Sequence, residues 1–311
     1  MNHSMSSCDV AVIGAGAAGL QAAQTLGRMR LSALVFDSGR YRNDPAVHMH
    51  NFLGHDGTPP AQLRVAARAD AGRYDSVRFA GCGVVRIAGE AGAFRLETGD
   101  GPAVTARRVL LATGVVDSLP EVPGLAPLFG DVVAHCPFCH GHEFAGMAVG
   151  VLGIEAHVAR LAAMMAPVAG RLVVLADGGR PDAETAAALD RLGVELRPEA
   201  VRGVCRSGTG LAVELEGRAP LELGGLFVKT DWRQAAPFAA QLGLEMAPSG
   251  AVIVDAFGRT SRAGVYAAGD MAQGPGLPMP MASVLNAASA GLLAAAACVQ
   301  DAALDRLGSG R

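Results

Sequence analysis

The chain has 311 residues, enough for two domains of ordinary size, and half of its residues are hydrophobic while 18% are charged. Its net charge of −3 offers no basic face to nucleic acid, and its longest apolar run, residues 287–299, is too short to span a bilayer. No basic segment followed by an apolar run opens the sequence, and its six cysteines include one close pair, so we expect a cytoplasmic protein rather than a secreted disulfide scaffold.

The first predicted unit is a strand, residues 9–13, that runs into Gly14, Gly16 and Gly19 and then into a helix. Glycines at this spacing permit a tight turn, the approach of a pyrophosphate to the backbone, and the packing of helix on strand. The helix N-terminus then presents unpaired N–H groups to the anion. The next strand ends at Asp37, which is placed to accept a hydrogen bond from a ribose hydroxyl. Together these features predict a dinucleotide-binding unit rather than a structural turn.

A histidine-rich stretch follows before the next helix. It contains His48, His50, Asn51 and His55. It either lines a flavin or substrate pocket, with Asn51 as a candidate cofactor-binding residue, or is a surface loop with solvated histidines. The sequence leaves both interpretations open.

Several strands are predicted between residues 77 and 109, and the last one closes in Ala112, Thr113 and Gly114. An apolar strand that ends in this way indicates backbone passing close to a cofactor, so Thr113 and Gly114 are candidate binding residues. The segment 119–124, rich in Pro and Gly, then marks the crossing into a second domain.

The functional prediction depends on the segment His135-Cys136-Pro137-Phe138-Cys139-His140-Gly141-His142 in this second domain. Two cysteines three positions apart can form a small ring or act in sequence on one partner. The thiolate is the reactive form of cysteine, and neighbouring imidazoles and a helix start favour it. We therefore interpret the pair as a redox-active dithiol or disulfide.

Three other uses fit the same spacing. C-x-x-C-H is the attachment pattern of c-type haem, but covalent haem attachment requires export. A zinc site needs four ligands, usually from two separated pairs, and the remaining cysteines, Cys8, Cys82, Cys205 and Cys298, are solitary. A structural disulfide is unusual in a chain without an export signal. The prediction is redox chemistry with no metal.

The strand after the cysteine motif runs into a turn that stands where a second dinucleotide site would be. Gly153 occupies the first glycine position, but Glu155 replaces the glycine that would admit pyrophosphate, and Val158 replaces a small packing residue. A carboxylate repels a diphosphate by about 1 kcal/mol at 4 Å in bulk water and by more when desolvated. The next strand is followed by no arginine cluster for a 2′-phosphate. The domain is predicted to keep a Rossmann frame without its nicotinamide nucleotide; an atypical NADH site is the alternative.

The remaining chain returns to the first domain. A strand ends in Gly269 and Asp270, whose carboxylate can bond a ribityl hydroxyl of FAD. Met281 and Ala282 precede a last helix, whose N-terminus can offer partial positive charge to the flavin.

We therefore predict an α/β protein with two Rossmann-like, three-layer domains. The FAD-binding domain is discontinuous, residues 1–117 and 247–311. The inserted degenerate nucleotide-binding domain, residues 118–246, carries the C-x-x-C motif.

These motifs, in this order, resemble the low-molecular-weight thioredoxin reductase family of flavoproteins over nearly the whole chain. The segment from Cys136 to Gly141 is more similar to the dithiol oxidases that close disulfides in gliotoxin, holomycin and related natural products, because thioredoxin reductases usually carry Asp where this chain has His140. Those oxidases also lack a working nicotinamide site. His142 departs from the pattern, since relatives often have an aromatic residue there.

The resemblance implies an FAD-dependent homodimer that acts on a small-molecule or small-peptide dithiol. Cys136 would be the sulfur that the substrate attacks, Cys139 the sulfur next to the flavin, and His140 the general acid and base, unless His140 only bonds to backbone. Electrons would pass from the cysteine pair to FAD and O2, giving H2O2. The alternatives are an NADPH-dependent thioredoxin reductase and a non-catalytic redox-sensing flavoprotein.

Overall fold

The computed structural model describes residues 7–99 and 101–308, which divide into two compact units. The first unit is Met1–Arg42, Ala61–Val116 and Arg233–Arg311, and the second is Asn43–Pro60 and Asp117–Trp232. Each unit is built around its own sheet of mainly parallel strands, so the predicted α/β class with two Rossmann-like domains is confirmed.

The elements follow one another in three stretches of chain. The first stretch holds β1 (Ser7–Ile13), α1 (Ala17–Arg28), β2 (Ala33–Phe36), α2 (Pro60–Gly72), β3 (Val77–Ala80), β4 (Val84–Ala88), β5 (Phe94–Thr98), β6 (Val104–Leu111) and β7 (Val115–Ser118). The second holds β8 (Val133–Ala134), α3 (Pro137–His140), β9 (Ala148–Leu152), α4 (Ala156–Met165), β10 (Arg171–Leu175), α5 (Ala183–Arg191), β11 (Glu195–Arg197), β12 (Val201–Ser207), β13 (Gly210–Leu215), β14 (Leu221–Leu223), β15 (Gly225–Phe227) and β16 (Asp231–Gln234), with 3₁₀ turns at Ala126–Leu128 and His142–Phe144. The last holds α6 (Phe238–Gln241), β17 (Val252–Ile253), β18 (Val265–Ala267), β19 (Ala272–Gln273) and α7 (Val284–Gly308).

The main sheet of the first unit has the order β3-β2-β1-β6-β5-β4, and β18 also pairs with β6. The strands β3, β2, β1, β6 and β18 run parallel, whereas β4 and β5 are antiparallel additions at one edge. The central strand β1 is apolar and buried from Val10 to Ile13 because both of its faces are covered there, as is typical of parallel sheets. This arrangement brings the C-terminal ends of β1, β2, β6 and β18 to the same edge.

Helix α7 is longer than the apolar run at residues 287–299, and within the described residues it is the one helix that is long and apolar enough, by length and composition, to cross a membrane. Its buried positions pack on α1 and the first sheet. A Cβ at Gly291 would lie 2.0 Å from the carbonyl oxygen of Ala18, so glycine lets the two helix backbones approach closely. This contact explains why small residues dominate the buried face of α7.

An ionic network ties α7 to the sheet. Asp301 accepts hydrogen bonds from the Arg259 guanidinium at 2.8 and 3.0 Å and from the buried Tyr266 hydroxyl at 2.6 Å. The Arg259 guanidinium holds the pKa of Asp301 below its usual range, while burial raises the pKa of Tyr266. Asp301 is therefore a charged acceptor on which two partners depend.

The variant Asp301→Asn is expected to lower the free energy of unfolding by about 2 kcal/mol at neutral pH, because it weakens hydrogen bonds to a charged group. A carboxyl group whose pKa is depressed in the folded state stabilises the protein fully above its unfolded pKa, about 3.9, and this contribution disappears as the pH falls through the folded value. Urea denaturation should therefore show a smaller difference in the free energy of unfolding between wild type and variant at pH 3 than at pH 7. The exposed Asp190→Asn on α5 is the control, and an equal loss in both variants would contradict the role of the network.

The second unit has three layers. Its parallel sheet, in the order β11-β10-β9-β15-β8, is covered on one face by α4 and α5 and on the other by the antiparallel sheet β12-β13-β14. Strand β9 alternates between the two: Val149 and Val151 pack toward α4, while Leu152 packs toward the antiparallel sheet. This is the expected Rossmann frame.

The compact units differ from the predicted domain boundaries in two places. Residues 43–60 belong to the second unit, where Pro45 packs against Gly130 and His50 lies 3.4 Å from Glu143. Residues 233–246 belong to the first unit, because the Gln241 side chain bonds the backbone of β4 at Ile87 and Val85. Both differences arise from side-chain contacts between segments distant in sequence.

Candidate active site

The first glycine motif forms the turn between β1 and α1. Gly14 has φ +109°, and a Cβ there would lie 2.2 Å from the carbonyl oxygen of Ala112, while a Cβ at Gly19 would lie 1.8 Å from the carbonyl oxygen of Gly14. Both positions therefore require glycine for close backbone packing. By contrast, no heavy atom lies within 4 Å of a Cβ built on Gly16, which is the N-cap of α1 and provides no side-chain cap. The turn leaves open space in front of the uncapped N-terminus of α1.

Two other predicted binding segments lie at the same sheet edge. Thr113, after β6, donates from its hydroxyl to the Met271 sulfur at 3.2 Å, and Gly114 adopts φ +68°. Gly269, after β18, has φ +81°, and a Cβ there would lie 3.1 Å from the Cβ of Ala18 on α1. The structure thus brings residues 113–114 and 269–270 together with the glycine turn.

Both predicted acidic ligands already have protein partners. The Asp37 carboxylate, 9% exposed, accepts hydrogen bonds from the Tyr41 hydroxyl, the Gly39 amide and the Arg68 guanidinium at 2.7 to 2.9 Å. Burial and the Asp37 carboxylate raise the pKa of Tyr41 to about 12. Asp270 forms an ion pair with Arg42 at 2.9 Å. Their contacts with a ribose and a ribityl chain stay predictions.

The remaining predicted cofactor-binding residues lie in different compact units. Met281 and Ala282 are exposed at the start of α7, where Ser283 accepts from the Asn286 amide and the Asn286 side chain donates to the Met281 carbonyl. Asn51 lies in the second unit, with φ +61° and its amide donating to Asp56 at 2.7 Å. That hydrogen bond lowers the pKa of Asp56.

The cysteine motif begins a single helical turn. Cys136 is the N-cap of α3, Pro137 occupies its first position, and Cys136 and Cys139 are joined by a disulfide with a Cα–Cα distance of 5.3 Å. The amides of Cys139 and His140 both donate to the Cys136 carbonyl at 3.2 Å. Within the described residues no group of three or more His, Cys, Asp or Glu side chains is arranged to hold a metal ion.

His140 has two differently placed ring nitrogens. Its Nε2 lies 3.2 Å from the Gly130 carbonyl oxygen, which can only accept, so the hydrogen-bond network assigns the proton to Nε2. Its Nδ1 is buried and has no hydrogen-bond partner. In a neutral imidazole this leaves Nδ1 as an unprotonated acceptor. The backbone bond and a role as base are therefore compatible.

The backbone of Gly130, whose carbonyl oxygen contacts His140, is fixed by its own packing and hydrogen bonding. It has φ +91°, its amide donates to the Val133 carbonyl at 2.9 Å, and a Cβ at this position would lie 2.6 Å from the Pro45 carbonyl group. The histidine-rich loop thus packs behind the acceptor of His140. His50 from the same loop lies 3.4 Å from both Asp56 and Glu143.

The turn after β9 is closed by a side chain. The Glu155 carboxylate accepts from the Ile154 amide at 3.2 Å and lies 2.9 Å from where a Cβ on Gly153 would be. Hydrogen bonds from the amides of Glu155 and Ile154 lower the pKa of this carboxyl group. A cavity of about 170 Å³ lies beside the turn, and it is lined by His135, Val151, Leu152, His157, Leu161, Phe227, Val228, Lys229 and Thr230.

Comparison with known proteins identifies the family. The model of the pyridine nucleotide-disulphide oxidoreductase family matches residues 8–291, which include both glycine turns and the cysteine pair. This chain belongs to that family. It is therefore an oxidoreductase of the thioredoxin reductase type.

Three relatives within the pyridine nucleotide-disulphide oxidoreductases illustrate the likeness. The thioredoxin reductase tcpT of Claviceps purpurea is 34% identical over 278 residues, covering 84% of this chain and 86% of that protein. The thioredoxin reductase sirT of Leptosphaeria maculans is 33% identical over 308 residues, covering 92% and 91%. The crystal structure of the putative thioredoxin reductase TrxB from Bacillus anthracis superposes with a TM-score of 0.89 at 30% identity, covering 96% and 99%.

The first unit fits the dinucleotide expected in this oxidoreductase family. A diphosphate needs a backbone cradle without a side chain in front of a helix N-terminus, and Gly16 and α1 provide both. The first turn of α1 contains no acidic residue that would repel the anion. The glycine turn would hold the pyrophosphate, and residues 113–114 and 269–270 would border the cofactor.

Several contacting residues escaped the sequence analysis. Arg42 pairs with Asp270, Tyr41 and Arg68 engage Asp37, and Gly130 supplies the acceptor for His140. Arg42 and Asp270 are 228 positions apart, so no local spacing could have connected them. Only Gly130, a glycine beside apolar residues, carried a weak signal of an unusual backbone conformation.

Proposed function

We propose that this chain is an FAD-dependent dithiol oxidase. It forms an intramolecular disulfide in a small-molecule or small-peptide dithiol, with O2 as the electron acceptor and H2O2 as the second product. The observation that carries the proposal is the Cys136–Cys139 disulfide in a unit whose own nucleotide turn is taken by the Glu155 carboxylate. A redox pair together with a carboxylate in the second nucleotide turn supports an enzyme that takes electrons from a dithiol without a nicotinamide nucleotide.

The chain's own residues perform the exchange steps. A substrate thiolate attacks the Cys136 sulfur, the Cys136–Cys139 bond breaks, and Cys139 leaves as a thiolate. The second substrate thiolate attacks its own sulfur in the mixed disulfide, so the cyclic product leaves and Cys136 becomes a thiolate. His140 takes up a proton released in these steps, and Nδ1 is the ring nitrogen that is free to receive it. When bound at the glycine turn of the first unit, FAD would supply the two-electron transfer from the cysteine pair to O2, which with two protons gives H2O2.

An exposed apolar side chain within the cysteine motif supports the proposal of a small, partly apolar substrate. Phe138, between the two cysteines, is 70% exposed, although its side chain is large and apolar. An exposed apolar side chain between two reactive sulfurs suits an organic dithiol that packs on it while its thiols exchange. The proposal also includes a homodimer located in the cytoplasm.

Purified FAD-loaded protein mixed with dithiothreitol in air is expected to consume O2 without any added nucleotide. Each disulfide formed should be accompanied by one H2O2, because two electrons leave each dithiol. An oxygen electrode and a peroxidase-coupled assay measure the two quantities. The monothiol 2-mercaptoethanol is the control, since it cannot cyclise and should react much more slowly. An absolute requirement for NADH or NADPH would reject the proposal.

A second candidate is an NADPH-dependent disulfide reductase, and it is favoured by the name thioredoxin reductase borne by the relatives. This candidate expects NADPH to bleach the flavin absorbance under argon. The oxidase proposal expects no bleaching by NADPH and full bleaching by dithiothreitol.

A further inference from the structure

Glu155 forms an internal anion at the second nucleotide turn. Its carboxylate accepts a hydrogen bond from the Ile154 amide at 3.2 Å, in the turn between the end of β9 and the start of α4. Backbone N–H groups at this point of a strand-turn-helix unit are the ones that bind a nucleotide pyrophosphate. The side chain thus occupies one of the backbone donors of this turn, the Ile154 amide.

The surroundings favour the charged form of this carboxylate. The amide donors lower the pKa of Glu155, and Lys229 adds positive charge, whereas burial lowers the pKa of His157 and favours its neutral form. The group is therefore ionised at neutral pH and stays at the turn. Each phosphate that approached would meet a negative charge on donors that are already occupied.

Space for a nucleotide persists beside the turn. The cavity of about 170 Å³ lies at the C-terminal ends of β9 and β15 and is lined mainly by apolar residues, together with Lys229 and Thr230. In a doubly wound sheet, ligands bind at the C-terminal ends of the strands. The fold therefore retains a recess, while the anion position next to it is filled.

We propose that Glu155 is the specificity-determining residue that excludes NADH and NADPH, because its carboxylate occupies the Ile154 amide and places a negative charge in the turn before α4. The proposal rests on the proposed oxidase function and deepens it, because it assigns the loss of nucleotide use to one side chain. Loss of the carboxylate is expected to uncover a site for the diphosphate of an adenine nucleotide.

The test measures ADP and NADPH binding to FAD-loaded protein by calorimetry. Glu155→Gln keeps the size of the side chain and removes its charge, and Glu155→Gly also frees the amides. The dissociation constant for ADP is expected to fall about tenfold in Glu155→Gln, equivalent to 1.4 kcal/mol, and further in Glu155→Gly. Glu184→Gln, which removes an exposed charge from the first turn of α5 in the same unit, is the control and should bind ADP like wild type.

Two results would overturn the proposal: wild type that binds ADP as tightly as the variants, or variants that melt like wild type and gain no affinity for ADP. If Glu155→Gly fails to fold, the isosteric Glu155→Gln decides the question. ADP binding requires no turnover, so this test can fail while wild-type protein still oxidises dithiothreitol in air. Conversely, absence of that oxidation refutes the proposed function without affecting the binding result.

Discussion

Replacing either cysteine of the pair with serine is expected to reduce dithiol-dependent O2 uptake by about a thousandfold or more. Serine keeps the size of the side chain but cannot form the disulfide that accepts electrons. Removing a covalent participant typically costs several orders of magnitude in turnover. Cys136→Ser and Cys139→Ser should therefore both be inactive at equal protein and FAD content.

The geometry explains why neither sulfur can act alone. The Cα atoms of Cys136 and Cys139 are 5.3 Å apart, within the ordinary range for a disulfide, because one helical turn begins at the first cysteine. The first sulfur forms the mixed disulfide and the second departs. A single thiol can exchange with substrate but cannot store two electrons as a dithiol.

The two variants should differ in what they trap. Incubated with the disulfide of 2-mercaptoethanol, Cys139→Ser is expected to accumulate a mixed disulfide on Cys136, whereas Cys136→Ser should label Cys139 more slowly. Intact-protein mass spectrometry measures both adducts. Cys205→Ser, which removes an exposed solitary cysteine, is the control and should keep full activity. Faster labelling of Cys139 would reverse the assigned order, and turnover by either single variant would contradict the mechanism.

The local residue pattern was enough to predict those parts of the fold that are formed by residues close together in the sequence. The turn from Gly14 to Gly19 depends on backbone packing within a few residues and on Ala112 beside it. Strand β1 is buried on both faces, so its composition alone indicates a parallel sheet. In the second unit, the change from glycine to Glu155 was visible because the glycine positions of such a turn are fixed by its geometry.

Contacts between distant segments could not be predicted in this way. The pairing of Arg42 with Asp270 depends on the complete first sheet, and the placement of residues 43–60 depends on packing at Gly130. For the same reason, the protonation pattern of the His140 ring could not be predicted from the sequence. Its position after the second cysteine suggested an acid-base role, but the protonated nitrogen is set by a carbonyl ten residues earlier.

His140→Gln is expected to lower the rate of cysteine-pair reduction by dithiothreitol by about a hundredfold at neutral pH, within the usual range for loss of an acid-base group. Glutamine can still donate to the Gly130 carbonyl, but it cannot take up a proton as the free Nδ1 can. The pH–rate profile of the variant should therefore differ in shape from that of wild type, because an acid-base group has been removed. Rapid-mixing absorbance of the flavin measures the rate across pH.

His142→Gln is the control for a general effect of histidine near the disulfide, because His142 is an exposed neighbour of His140. This variant should change the rate less than about threefold, since it removes no acid-base catalysis. A second variant, Gly130→Ala, leaves the imidazole intact but displaces its acceptor, since the new Cβ would lie 2.6 Å from the Pro45 carbonyl group. Nitrogen-15 NMR of labelled histidine should then show His140 losing its preference for a proton on Nε2. A pH–rate profile of His140→Gln that matches wild type would show that His140 serves only to hold the backbone at Gly130.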